Sequence, residues 1–350
     1  MSEEAHSPPM KKLDLRQLLQ GVSRSFYLSI RLLPRAIQAP VAVGYLLARA
    51  TDTVADTTAQ TQADRLNLLA GLVRSIEATN HVIEDLTPQI QAFAGQQDNR
   101  QERALMHAWP ECLSQLQDLT AADQRSVREV LGFITQGQMA DVSLFGDGPN
   151  AFNTESELDN YTWQVAGCVG EFWTEVCARH LPDFSKRPTL EMRQLGRRYG
   201  MGLQRLNILR DSGADLADGR CYWPRERLSD QDLTPEQLVQ SVRMGQALTA
   251  LTPLWEAYLD STRAQLEDGL KYSLAVNNTR VRLASALPAL IGIRTLALLR
   301  QSGPSALITP VKMPRHEVKK LLWRIVLGGA TRKTLALEFN RLAAVRESSP

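Results

Sequence analysis

Two pairs of aspartates share one spacing and are the residues whose types most clearly suggest chemistry. Asp52 and Asp56 stand in RATDTVAD, and Asp211 and Asp215 stand in LRDSGAD. Residues four apart on a helix project from the same face, with Cβ atoms roughly 5–6 Å apart. Carboxylate oxygens are hard ligands, and Mg²⁺ commonly joins one or two carboxylates to substrate phosphates. The spacing therefore suggests two acidic sites that hold Mg²⁺ against a diphosphate.

Each aspartate pair continues toward the N-terminus as a polar stripe on an otherwise apolar segment. Tyr45 and Arg49 precede the first pair at helical steps, and Gln204 and Asn207 precede the second. A single aspartate pair is more often a solvated helix face than a metal site. Ionised carboxylates on buried helices are costly unless they are paired or bound to cations. The recurrence of that cost on two apolar segments favours the metal interpretation.

Composition excludes several classes of protein. The chain has 350 residues, of which 43% are hydrophobic, so it can bury a sizeable core and is not disordered. Lys and Arg number 40 against 38 Asp and Glu, which leaves no strong positive field, and we expect no nucleic-acid partner. The four cysteines show no zinc-binding spacing, and we interpret them as reduced core thiols: Cys112, Cys168, Cys177 and Cys221.

The termini and the apolar runs bear on cellular location. The N-terminus, MSEEAHSPPMKK, lacks the basic start and apolar run of a secretory signal. The longest apolar stretch, Leu283 to Ile293, contains Pro288 and is shorter than the roughly 20 residues of a membrane-spanning helix. We expect a cytoplasmic protein, with peripheral contact at the inner membrane face left open.

Helical periodicity dominates the chain, and alternating β patterns are hard to find. We expect an all-α protein made of a single domain over residues 1–350, with 1–12 and 340–350 as flexible tails. Sites in helical bundles are built from side chains on facing helices. The pattern predicts helices over residues 36–57, 61–80, 121–145, 154–181, 189–213, 234–268, 276–301 and 314–328.

Five segments in a fixed order carry a resemblance to a known family. They are SRSFYLSIRLLP (23–34), YLLARATDTVAD (45–56), YTWQVAGCVGEFW (161–173), LQRLNILRDSGADLADGRCYWP (203–224) and VKMPRHEVK (311–319). The chain resembles the squalene/phytoene synthase family, the head-to-head branch of the α-helical isoprenyl diphosphate synthases, and most of all its squalene synthases. The resemblance implies one large helical bundle of the isoprenoid synthase type with a central active-site cavity.

The resemblance also implies roles for individual residues. The Mg²⁺ ligands would be the four aspartates together with Asn207. Guanidinium groups donate bidentately to phosphate oxygens, and Arg49 and Arg210 lie inside apolar helices, where a surface role fits poorly. The diphosphate-binding groups implied by the family are Ser23, Arg24, Ser25, Arg49, Gln204, Asn207, Arg210 and Arg220.

Tyr161 matches the active-site tyrosine of the family and would orient a proton, relay it or stabilise a cation through its ring. Small residues follow it in YTWQVAGCVG. Close helix packing explains such residues as well as a substrate tunnel does, and the tyrosine at a fixed offset favours the tunnel. The pocket-lining residues that we expect are Phe26, Tyr45, Val165, Ala166, Gly170, Leu203, Ala284 and Pro288.

The activity implied by the resemblance joins two farnesyl diphosphates through presqualene diphosphate and reduces the product to squalene with NADPH. No G-x-G-x-x-G fingerprint follows a predicted strand. Lys312, Arg315 and Lys319 are the residues that we expect to meet the phosphate of NADPH. The alternatives are a presqualene diphosphate, dehydrosqualene or phytoene synthase without the reductive step, and a non-catalytic scaffold protein that retains the fold.

Three alanines depart from the pattern of the family. Ala55 and Ala214 stand where many squalene synthases carry additional acidic residues, so each motif keeps only its minimal aspartate pair. Ala284 stands where some members have an aromatic pocket residue, which puts product length in question. The C-terminal LAAVRESSP stands where eukaryotic squalene synthases have a membrane anchor, and we expect no anchor here.

Overall fold

A computed structural model describes residues 15–22, 30–78, 86–146 and 149–344. The described residues are 79% helical with almost no strands, which confirms the all-α prediction. The α-helices among these residues are α1 (Leu15–Val22), α2 (Arg35–Asp56), α3 (Gln62–Glu77), α4 (Thr87–Gly95), α5 (Arg100–His107), α6 (Trp109–Gln117), α7 (Ala121–Leu144), α8 (Glu155–Thr162), α9 (Cys168–His180), α10 (Thr189–Ala217), α11 (Arg225–Ser229), α12 (Pro235–Arg243), α13 (Thr252–Ala275), α14 (Thr279–Ser302), α15 (Arg315–Leu327) and α16 (Arg332–Ala343).

The long helices agree with the predicted segments to within a few residues, whereas the helix predicted over 234–268 is wrong. Helix α12 ends at Arg243, and Gly245 follows with a backbone φ of 69°, a left-handed conformation that suits glycine. The chain re-enters a helix only after a 3₁₀ turn at Thr249–Leu251. The sequence pattern also missed the short helices α1, α4, α5, α6 and α11 and the last helix, α16.

Two hydrophobic clusters fill the bundle. The first gathers mainly buried side chains of α1 to α7 and α9, and the second gathers those of α8 and α10 to α16. Helix α10 packs against both α9 and α13, and α2 packs against α7. Helices α2 and α10, which carry the two aspartate pairs, therefore belong to different clusters and lie on either side of the region where the clusters meet.

Helices α9 and α10 approach each other closely at two glycines. A Cβ atom on Gly170 would overlap the backbone carbonyl of Gly196, and a Cβ on Gly196 would lie 2.6 Å from the carbonyl oxygen of Gly170. Since real Cβ contacts are longer than this, both positions require a residue without a side chain. This contact fixes α9 beside the first half of α10.

Two irregular elements interrupt the helices near the predicted site residues. Trp163–Gly167 forms a π-helical turn between α8 and α9, and such turns occur frequently at functional sites. Asn150–Ala151 (β1) pairs in parallel with Arg220–Cys221 (β2), so Asn150 stands opposite Arg220. The pairing joins the connection that follows α7 to the connection that follows α10.

One helical stretch of the described chain, Thr279–Leu307, is long and apolar enough to cross a membrane by length and composition. It consists of α14 and the 3₁₀ turn that follows. Within its most apolar window of 18 residues, 61% of the window is buried inside the protein, as in a core helix.

Candidate active site

A cavity of about 600 Å³ opens where the two hydrophobic clusters meet. Its walls are mostly apolar and come from α2, α7, α10, α14 and the stretch from Tyr161 to Trp173. Pockets of this size that combine apolar walls with a few polar groups are typical of small-molecule sites. Phe26 lies outside the described residues, and the cavity wall contains the other predicted pocket residues: Tyr45, Val165, Ala166, Gly170, Leu203, Ala284 and Pro288.

The small residues after Tyr161 serve both purposes that the sequence left open. Val165, Ala166 and Gly170 line the cavity. Gly170 also makes the close contact with α10, and a Cβ on Gly200 would overlap the carbonyl group of Ala166. The same side chains that let two helices pack closely therefore leave room for a ligand on their other side.

The first aspartate pair lies in the cavity wall beside Arg49. Nη1 of Arg49 contacts Oδ2 of Asp52 at 2.6 Å, and Nη2 of the same arginine contacts Oε1 of Glu102 at 2.6 Å. Burial raises the pKa of Asp52 to about 6, repulsion from Asp56 adds to the rise, and the charge of Arg49 opposes it. Burial also raises the pKa of Asp56, and the negative charge of Glu102 adds to the rise at both aspartates, so a cation would stabilise their ionised forms.

The second aspartate pair is matched to different arginines. Arg210 forks onto the adjacent Asp211, with Nε 2.9 Å from Oδ1 and a further bond from Nη2 to Oδ2. Asp215 contacts Arg220 at 3.0 Å. Burial raises the pKa of Asp215 to about 6, the charge of Arg220 opposes that rise, and Asp211 adds to it. Neither aspartate is part of the cavity wall.

Arg220 links the two acidic pairs. Burial raises the pKa of Asp56, and the positive charge of Arg220 opposes that rise first among the neighbouring groups. The same guanidinium forms the ion pair with Asp215 on the other helix. Arg220 lies on β2, just after α10, and its charge acts both on Asp56 in the cavity wall and on Asp215 of α10, although Arg220 does not itself line the cavity.

The donor set fits Mg²⁺ shared with a substrate better than a closed metal centre. Among the described residues, no three His, Cys, Asp or Glu side chains converge on one point. Each helix instead supplies two carboxylates, which suits Mg²⁺ because this ion usually keeps several waters and takes its remaining ligands from substrate phosphates. Asn207, the fifth predicted ligand, donates from Nδ2 to Oε1 of Gln204 at 3.3 Å, and Gln204 lines the cavity.

Tyr161 lies buried in the cavity wall among aromatic rings and one carboxylate. Its ring stacks on Tyr222 with centroids 5.6 Å apart and lies 5.4 Å from the ring of Phe152. The hydroxyl of Tyr222 donates to Oδ1 of Asp141 at 2.5 Å. Burial raises the pKa of Tyr161 well above its usual value, and the charge of Asp141 adds to the rise. The phenol therefore stays protonated and available as a hydrogen-bond donor.

Several residues of the site escaped the sequence analysis. Gln138 and Asp141 line the cavity from α7, and their spacing of three within an apolar helix is a signal that could have revealed them. Tyr222 also lines the cavity. It stands near the end of the segment 203–224, in which the sequence analysis singled out the nearby Arg220 but not this tyrosine. Glu102 lies on the short helix α5, and nothing in its local sequence indicates that it contacts Arg49.

Several predicted residues are not brought to the cavity. Lys312, Arg315 and Lys319, predicted to bind NADPH, are exposed around the start of α15, and none of them lines the cavity. Three predicted diphosphate-binding residues lie outside the described residues, together with Phe26: Ser23, Arg24 and Ser25.

Comparison of sequences gives a consistent set of relatives. A squalene synthase from Cyberlindnera jadinii is 26% identical over 324 residues, which cover 92% of this chain and 69% of the relative. Squalene synthase ERG9 from Saccharomyces cerevisiae is 28% identical over 284 residues, which cover 81% of this chain and 60% of the relative. The chain thus spans roughly two thirds of the length of these proteins.

Comparison of structures shows the fold. TcSQS in complex with the ligand E5700 matches with a TM-score of 0.73 at 21% identity, covering 97% of this chain and 94% of the other. A dehydrosqualene synthase in complex with a ligand matches with a TM-score of 0.58 at 22% identity, covering 90% of this chain and 95% of the other. The fold is therefore the all-helical fold of the isoprenoid synthases.

A family model described as squalene/phytoene synthase matches residues 19–321, which is most of the chain. The match includes both aspartate pairs, Tyr161 and every residue of the cavity wall. The chain belongs to the squalene/phytoene synthase family, whose squalene synthases are prenyltransferases.

Proposed function

We propose that this protein is a squalene synthase that joins two farnesyl diphosphates head to head and then reduces the product. The observation that carries the proposal is the apolar cavity of about 600 Å³ with Arg49, Asp52 and Asp56 in its wall. A prenyl diphosphate has an apolar chain and a charged head, and the cavity divides in the same way. The relatives named squalene synthase support the choice of substrate.

The polar end of the cavity suits a diphosphate. Arg49 in the cavity wall, and Arg210 and Arg220 outside it, each form an ion pair with an aspartate, so their guanidinium groups are already oriented. Such groups donate bidentately to phosphate oxygens. Mg²⁺, when held by the four aspartates and Asn207, would neutralise the leaving diphosphate. Glu102 binds the second nitrogen of Arg49 and would keep that arginine in place when its bond to Asp52 is exchanged.

The apolar end of the cavity suits a carbocation that must be kept from water. Loss of diphosphate from one farnesyl group leaves an allylic cation, and the 2,3-double bond of the second farnesyl group attacks it. Loss of a proton then closes the cyclopropane ring of presqualene diphosphate. Tyr161 and Tyr222 line the cavity, and their rings would stabilise positive charge. The hydroxyl groups of both tyrosines, with Asp141, would guide the departing proton.

The reductive second half of the reaction separates this proposal from its nearest alternative. NADPH would supply the hydride that ends the rearrangement of presqualene diphosphate to squalene. The alternative is an enzyme that stops at presqualene diphosphate or releases dehydrosqualene or phytoene. Lys312, Arg315 and Lys319 are exposed and do not line the cavity, so the cavity gives no argument that they bind NADPH. The relatives are squalene synthases, which favours the reductive enzyme.

The test is to incubate the purified full chain with farnesyl diphosphate and Mg²⁺, with and without NADPH, and to analyse the extracted lipids. We expect presqualene diphosphate or unreduced C30 products without NADPH, and squalene with it. A product profile that does not change at saturating NADPH would favour the non-reductive alternative. Failure to consume farnesyl diphosphate under any condition would contradict the proposal as a whole.

A further inference from the structure

The exposed face of α15 carries a cluster of large apolar side chains. Trp323 is 67% exposed, Val326 is 64% exposed and Leu327 is 81% exposed, and the adjacent Leu322 is 41% exposed. All four lie within the last two turns of one helix. Single exposed apolar residues are ordinary, whereas a contiguous group that includes a tryptophan marks a surface that binds something.

The helix is held firmly by its opposite face, so the exposure does not come from a loose end. Leu321 and Ile325 are each 1% exposed and belong to the second hydrophobic cluster. At the start of the helix, Nε of Arg294 on α14 contacts Oε2 of Glu317 at 2.7 Å. The apolar face is therefore presented to solvent by a fixed helix.

The surroundings of the apolar group are strongly basic. Lys319 and Lys320 are exposed one turn before it. Between residues 311 and 344 the only acidic residues are Glu317 and Glu338. Both are neutralised, because Glu317 pairs with Arg294, and Glu338 pairs with Arg324 and Arg341. The basic residues of this stretch are Lys312, Arg315, Lys319, Lys320, Arg324, Arg332, Lys333 and Arg341.

We propose that this face of α15 docks the protein on a lipid bilayer that contains anionic headgroups. Tryptophan favours the boundary between headgroups and acyl chains, and leucine and valine insert beside it. Lysines next to the inserted residues meet the negative surface. A second copy of the chain is less favourable, because a two-fold contact through this face would set the basic residues of the two copies against each other. The proposal does not depend on the proposed function, since docking is measured without turnover.

The experiment is co-sedimentation of the full chain with vesicles of phosphatidylcholine alone or mixed with phosphatidylglycerol. We expect binding to the mixed vesicles, much weaker binding to phosphatidylcholine, and weaker binding at high salt because charge attraction is screened. The double variant Trp323→Ser with Leu327→Ser should lower binding at least about tenfold. Lys320→Gln should lower it about fivefold. The matched control is Leu190→Ser, which removes a leucine that is 68% exposed on α10 and should change nothing.

Each contrary outcome identifies a different explanation. No binding to anionic vesicles by the parent chain would overturn the proposal, and so would equal binding by the parent and the double variant. If light scattering shows that the parent is a dimer and the double variant a monomer, the face is an interface between two copies and the proposal is wrong. Unchanged thermal unfolding of the variants, expected for exposed positions, shows that lost binding does not come from lost folding; the single variant Trp323→Ser serves if the double variant does not fold.

Discussion

The two aspartate pairs have the same spacing on two long helices, yet their surroundings differ. Asp52 and Asp56 lie in the cavity wall, and the arginine that pairs with Asp52 is held from its other side by Glu102. Asp211 and Asp215 lie outside the wall, and each has its own arginine from α10 or β2. The first pair is therefore part of the cavity wall, whereas the second lies outside the wall and is connected to the first through Arg220.

This difference indicates that identical spacing can serve two tasks. Under the proposed function, the first pair would combine metal binding with contact to the reacting end of the substrate. The second would combine metal binding with the placement of Arg220, which faces both pairs. Variants that affect one pair and spare the other test this division.

The largest effect is expected from removing one charge of either pair. Asp52→Asn and Asp211→Asn keep the size of the side chain but lose its charge, and each should lower kcat/KM for farnesyl diphosphate by more than about 100-fold. The rise in unfolding temperature that Mg²⁺ with inorganic diphosphate gives the parent chain should shrink in both variants. If a variant at low Mg²⁺ turns over farnesyl diphosphate within about threefold of the parent rate, that aspartate pair does not bind Mg²⁺.

A large fall in kcat is also expected when the hydroxyl group of Tyr161 is removed. Tyr161→Phe keeps the ring and removes the hydroxyl, and we expect kcat to fall about 100-fold with KM little changed, because the hydroxyl lies beside Tyr222 and Asp141. Steady-state kinetics with farnesyl diphosphate measure this. A raised KM at unchanged kcat would show that Tyr161 contacts the substrate but takes no part in the chemical step.

A smaller effect is expected from releasing Arg49. Glu102→Gln removes the charge that holds one nitrogen of Arg49 and should lower kcat/KM about tenfold, the range for a residue that positions another. Glu191→Gln is the matched control, because it breaks an exposed ion pair with Arg187 outside the cavity wall and should leave kcat/KM unchanged. Equal behaviour of the two variants would show that Arg49 needs no second partner.

The smallest effect is expected at a third acidic residue beside the second pair. Asp218 is 70% exposed and lies 3.8 Å from Arg220, a weak and solvent-screened contact. Asp218→Asn should therefore keep kcat/KM within about twofold of the parent. A loss as large as that of Asp211→Asn would mean that the second site includes three carboxylates.

The helices that the sequence predicted best are those with long apolar periodicity. Helices α2, α7 and α10 agree with the predicted segments, and they carry the aspartate pairs and one cavity wall. Local pattern is sufficient there because the buried stripe repeats over many turns. It failed at Gly245, where one glycine in a left-handed conformation ends a helix that apolar residues on both sides would continue.

The parts of the site that the sequence did not reveal depend on contacts between distant residues. The bond between Tyr222 and Asp141 joins residues 81 apart, and the ion pair between Arg49 and Glu102 joins residues 53 apart. Neither residue of such a pair has a local pattern that points to the other. Only the packing of α7, α5 and β2 around the cavity brings these groups together.

The short pairing of β1 with β2 has a consequence for the order in which the protein folds. It joins chain segments that are held by contacts such as that between Asn150 and Arg225, 75 residues apart. Contacts between distant residues form late, because closing a long loop costs entropy before the new contacts contribute any stabilising free energy. Arg220 therefore reaches its place only when the two strands pair. During refolding, the amides of β2 should gain protection from hydrogen exchange together with the first appearance of activity.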